Sequence, residues 1–244
     1  MTVGGTSARR AVDVLGAAAW GSVALALLLV LFVAREAEAS MGGQLQRIFY
    51  FHVASAWVAY LAFTVVFVSS IAYLRTGARP WDLLAHAGAE VGVLFCSLVL
   101  VTGPIWARPV WGTWWEWDAR LTSTLLLWLT YVGYLLLRGL ATDPARTGRL
   151  AAVVGIAGFA YVPIVHFSVY WWRTLHPQGP SIANPAQASG LGPGELVAFF
   201  VSLVAFTLLL AWLLVLRTRL GALSDRVEEI EMARARREET AVGA

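Results

Sequence analysis

Residues 83–137 read LLAHAGAEVGVLFCSLVLVTGPI, then WARPVWGTWWEWDAR, then LTSTLLLWLTYVGYLLL, so that two apolar runs flank a segment holding five of the chain's twelve tryptophans. An α-helix needs about 20 apolar residues to cross a hydrocarbon core, and each run is long enough or nearly so. Neither run alternates apolar with polar residues, which excludes a membrane β-strand and leaves the helix as the only spanning element. Four more segments of this kind lie outward from the pair: Val14 to Ala34, Ile48 to Leu74, Leu150 to Trp172 and Leu196 to Leu216. With Leu83 to Ile105 and Leu121 to Leu137 they make six.

Composition agrees: 59% of the 244 residues are hydrophobic and 14% charged, and the mean hydropathy is +0.68. The expected class is an all-α integral membrane protein, a six-transmembrane-helix bundle. Residues 1–220 form the membrane domain and residues 221–244 a charged, helix-prone tail. The first segment is expected to stay in place as a span, because its apolar core is longer than that of a signal peptide.

All eighteen positive charges are arginines. Thirteen (9, 10, 75, 79, 138, 146, 149, 217, 219, 226, 234, 236 and 237) fall on one side of the six-span arrangement and five (35, 47, 108, 120 and 173) on the other. The positive-inside bias then puts both termini in the cytoplasm and the tryptophan-rich segment outside. Without lysine there is no P-loop, so ATP hydrolysis by this chain is not expected. The single cysteine, Cys96, rules out an internal disulfide, a C-x-x-C pair and c-type haem attachment.

Within Trp106 to Arg120, a helix beginning near Pro109 would place Trp111, Trp114, Trp115 and Asp118 at i, i+3, i+4 and i+7 on one face. Arg108 and Arg120 bracket that face. Two readings stand side by side: an interfacial aromatic belt, or a platform for a large planar ligand with anionic edges, such as a porphyrin. His52 lies at the outer mouth of the second span, as a ligand or as an amphipathic side chain at the interface. His176 lies in the outward loop after the fifth span. His166, one turn before Tyr170, is expected to pack against that ring, and Pro163 to kink the helix that carries it. Glu90, near the cytoplasmic start of the third span with His86, is read as a structural carboxyl.

The run W-G-T-W-W-E-W-D-A-R-L-T-S (111–123) resembles the WWD signature of the haem-handling proteins of cytochrome c maturation. The resemblance extends to I-F-Y-F-H (48–52), V-T-G-P-I-W-A-R-P (101–109) and P-I-V-H-F-S-V-Y-W-W-R-T-L-H (163–176), and over nearly the whole chain it is closest to the CcmC, or haem exporter protein C, family. The resemblance implies a membrane protein that is not an enzyme, transiently binding haem (heme b) at the outer face of the bacterial inner membrane. By it, His52 and His176 match the axial iron ligands, and the cofactor-binding set is completed by Trp111, Trp114, Trp115, Trp117, Asp118, Arg108 and Arg120. It also implies delivery of haem to a CcmE-type chaperone and association with CcmA and CcmB, the ABC transporter subunits, and a small CcmD-type subunit. Membrane lipid is the remaining partner, and no nucleic acid is expected. The competing classes are a membrane b-type cytochrome, which wants histidines facing each other inside the bundle, and a haem permease, which wants a polar path through it.

Overall fold

The computed structural model describes residues 3–36, 43–140, 144–176 and 191–242. Seven α-helices account for them: α1 (Val3–Phe32), α2 (Ile48–Thr76, entered through a 3₁₀ turn at Gly43–Arg47), α3 (Arg79–Trp111), α4 (Ala119–Leu140), α5 (Pro144–Phe159), α6 (Tyr161–Trp171) and α7 (Pro193–Val242). There is no strand among the described residues. Six helical stretches have the length and hydropathy to cross a membrane, the fifth made of α5 and α6 together. The all-α, six-span architecture expected from the apolar runs is therefore the one observed.

The fifth stretch is broken at Ala160, whose N–H bonds the carbonyl of Ala157 instead of continuing the α-helical ladder. Pro163 explains the position. Proline has no N–H for the carbonyl four residues back, and its ring collides with that carbonyl. Here the carbonyl belongs to Phe159, the last residue of α5. Pro163 thus sits in the first turn of a new helix, where proline is tolerated.

Helix α2 is central, packing against α3, α5 and α7, while α1 lies along α7. The core forms where small residues let helices approach. Phe63 of α2 is fully buried, lies over Gly92 of α3 and stacks on Tyr131 of α4 with ring centroids 3.9 Å apart. The Tyr131 hydroxyl donates to the carbonyl of Gly155 on α5 at 2.9 Å. One aromatic pair therefore joins four helices, with its only polar group satisfied, as a low-dielectric interior requires.

The two ends of the bundle differ in chemistry. At the end where α2 finishes and α3 begins, Asp82 is buried and accepts from both nitrogens of the Arg138 fork, at 2.5 and 2.8 Å. Arg79 also donates to Asp82, and its guanidinium grips Asp225 of α7 at 2.7 and 2.8 Å. Further along α3, Arg217 of α7 holds both oxygens of Glu90, with His86 Nε2 at 3.8 Å. Glu90 is thus ion-paired, which gives the structural reading of this carboxylate its partner. Helix α7 continues without a break through residue 220 into the charged tail.

Candidate functional site

At the opposite end, α3 does not stop at its prolines. It runs through Pro104 and Pro109 to Trp111. Termination comes at Gly112, whose left-handed φ of +79° lets its N–H bond the Arg108 carbonyl at 3.0 Å, the usual way a glycine ends a helix. The Arg108 side chain donates in turn to the Gly112 carbonyl.

Residues 113–118 are not helical. The expected helix face of Trp111, Trp114, Trp115 and Asp118 is accordingly wrong: Pro109 belongs to the last turn of one helix, not the first turn of another. Near a membrane surface, water can pair the carbonyl freed by a late proline, so the break falls at the glycine instead.

The tryptophans form an edge-to-face cluster, not a flat wall. Trp106 and Trp111 meet at 5.1 Å and 85°, and Trp115 and Trp117 at 5.6 Å and 76°. Trp114 and Trp117 are strongly exposed, at 59% and 75%. Trp115 turns its indole N–H inward, where that donor has no partner. It shares that state with five other buried side-chain polar atoms among the described residues, Thr122 Oγ1 at the start of α4 being the nearest in sequence.

Asp118 is placed by the fold to do two things. Its Oδ1 accepts the N–H of Leu121 at 2.8 Å, capping α4, and its Oδ2 accepts the N–H of Leu175 at 3.2 Å. That second bond ties the Trp-rich segment to the residue before His176. The Thr174 hydroxyl, bonded to the His176 N–H at 2.9 Å, tightens the same turn, and the His176 ring meets Trp111 edge to face with centroids 6.1 Å apart.

His52 approaches from α2, one turn into the helix and partly buried. Its Nδ1 lies 2.8 Å from the hydroxyl of Thr102 on α3, and its Cε1 faces the bare Cα of Gly103. Both histidines therefore lean on the C-terminal half of α3, at positions nine residues apart, roughly 13 Å along the helix axis. The guanidinium of Arg120 lies near His52 and the Tyr60 hydroxyl.

The nine residues expected from the sequence thus gather at one end of the bundle, but not in equal roles. Arg120 lies near His52, His176 lies against Trp111, Trp114 and Trp117 present open rings, Arg108 caps a helix, and Asp118 holds the loop together. His166 does not pack on Tyr170. It is exposed and meets Tyr60 of α2 at 6.4 Å and Phe167 at 4.9 Å.

Thr102, Tyr60 and Gln46 escaped the sequence reading. Gln46 accepts the Trp106 indole N–H at 2.8 Å. The only signal for Thr102 was its polarity in an apolar run just ahead of Gly103 and Pro104. Among the described residues no group of three or more His, Cys, Asp or Glu side chains is arranged to hold a bare metal ion. Two imidazoles, an unpaired indole donor and an arginine fit instead a ligand that brings its metal with it.

A family model described as "Heme exporter protein C" matches residues 5–233. The chain is 37% identical over 221 residues to the heme exporter protein C of Bradyrhizobium diazoefficiens, covering 89% of this chain and 83% of that protein. It is 36% identical over 177 residues to the heme exporter protein C of Escherichia coli, covering 72% and 70%. A putative cytochrome c biosynthesis ccmC-like mitochondrial protein of Marchantia polymorpha is 34% identical over 204 residues, with 82% and 83% covered.

Proposed function

The chain belongs to the heme exporter protein C (CcmC) family of membrane proteins, which are not enzymes, and we propose from this that it binds haem for cytochrome c maturation. In this reading haem (heme b) is held transiently at the outer face of the plasma membrane and handed to a CcmE-type chaperone. CcmA- and CcmB-type ABC subunits and a small CcmD-type subunit are the other partners. The excess of arginine on the end opposite the tryptophans supports the orientation, with both termini cytoplasmic.

The observation that carries the reading is that His52 and His176 both pack against the C-terminal half of one helix, α3, which ends in the Trp-rich segment. His52 and His176 would supply the axial nitrogens, since imidazole is a regular haem-iron ligand. Arg120 and the Trp115 indole N–H would meet the anionic propionates. Trp111, Trp114 and Trp117 would cover the apolar ring, where aromatic contacts contribute beyond simple area burial. Because the rings lie at the rim and two of them are open, the ligand stays within reach of a partner, as transfer requires and an internal electron carrier does not.

An absorption spectrum of the purified protein loaded with haem tests this, taken for wild type, His52→Ala and His176→Ala. Six-coordinate iron in wild type and loss of one axial ligand in each variant is the expected result. Wild-type spectra in both variants would remove the ligand assignment.

A further inference from the structure

We propose that Thr102 is a positioning residue that sets the tautomer of His52, leaving Nε2 bare for iron; the proposal rests on the haem-ligating role of His52. A threonine hydroxyl has one proton to give and two lone pairs to accept with. The Thr102 proton is committed within its own helix, donated to the Leu98 carbonyl at 2.7 Å. The 2.8 Å contact with His52 Nδ1 must then run the other way, with Nδ1–H donating to the threonine oxygen. A neutral imidazole carries its proton on one nitrogen only, so Nε2 is left as an unprotonated lone pair, the form that coordinates a metal.

The seat is shaped as well as polar. Gly103 follows directly, and a Cβ at that position would come to 3.4 Å from His52 Cε1, at the edge of ordinary contact. The ring therefore rests on the α3 backbone with its Nδ1 edge against Thr102. The carbonyl that Thr102 uses belongs to the residue one turn back, so the geometry is fixed by α3 alone and exists before any ligand arrives.

Three variants and two measurements test the proposal. In ligand-free protein carrying ¹⁵N-labelled histidine, the His52 imidazole shifts report which nitrogen holds the proton. Wild type and Thr102→Ser are expected to show the Nδ1–H form, and Thr102→Val, which keeps the shape but has no hydroxyl, a mixture enriched in Nε2–H. Haem titration is expected to show an affinity loss of roughly 10- to 100-fold in Thr102→Val, the range for losing the partner that orients a ligating histidine, with recovery in Thr102→Ser. Predominant Nε2–H in wild type overturns the proposal, as does wild-type affinity in Thr102→Val. His52→Ala separates the two layers: if its haem spectrum is unchanged, the ligation reading itself has failed. If His52→Ala loses an axial ligand while Thr102→Val does not differ from wild type, only the role of Thr102 has failed.

Discussion

Asp118 Oδ2 accepts the backbone N–H of Leu175 across 57 residues of sequence at 3.2 Å, while the other oxygen of the same carboxylate caps α4. The acid of the WWD signature is thereby a bracket between the Trp-rich segment and the turn that carries His176. In the proposed function its part is to hold the turn that carries His176.

Asp118→Ala should therefore lower stability by about 1 kcal/mol, the usual cost of an N-cap, and also loosen His176. Asp118→Asn keeps one oxygen, and asparagine is a good cap, so it should restore most of the stability but not the full geometry of the His176 turn. Thermal melting in detergent and the haem absorption spectrum, read together, check both. A wild-type spectrum in Asp118→Ala would show that the bracket does not position His176.

Gly92→Leu should be destabilising by about 1–3 kcal/mol, the range for overpacking a core. A Cβ at Gly92 already falls inside the contact distance of the Phe63 ring, and that ring cannot retreat because it is stacked on Tyr131. The effect should appear in the melting temperature, with the haem spectrum of the folded fraction unaltered, since the site lies at the end of α3.

Asp82→Ala should cost about 3–5 kcal/mol, because it strands the buried Arg138 guanidinium without its partner. The Arg138 and Asp82 side chains are only 10% and 3% exposed, so water cannot take over. The double change Asp82→Ala with Arg138→Met should recover much of that loss, since an apolar pair leaves no buried charge. Melting curves of the two single variants and the double variant close the cycle, and equal losses in Asp82→Ala and the double variant would show that the pair is not the source.

Labelling by an impermeant thiol reagent in intact cells should modify Glu116→Cys and spare Arg234→Cys. Both positions are exposed, whereas the native Cys96 is buried and gives no background. The reverse pattern would invert the orientation drawn from the arginine distribution.

The spans were legible because a hydrocarbon core imposes a length and a polarity on each segment separately, and both are local properties of the chain. The Trp-rich segment and the two histidine contexts were legible for the same reason, as short runs whose composition stands out. Where the sequence reading went wrong, it had to choose between two local rules. Pro109 can open a helix or sit in the end of one, and only the left-handed Gly112 and the continuing α3 ladder decided it.

What the amino-acid sequence determined by itself, then, is the number of spans, the arginine asymmetry and the residue types available at one end. The tertiary structure alone decided which of them touch: Thr102 beneath His52, Asp118 holding Leu175, Arg138 folded onto Asp82, and His166 turned to Tyr60. Each of these contacts joins residues 50 or more apart in the chain. No helical or strand periodicity reaches across such a distance, and the partner is fixed only when the packing of whole helices sets their register and rotation.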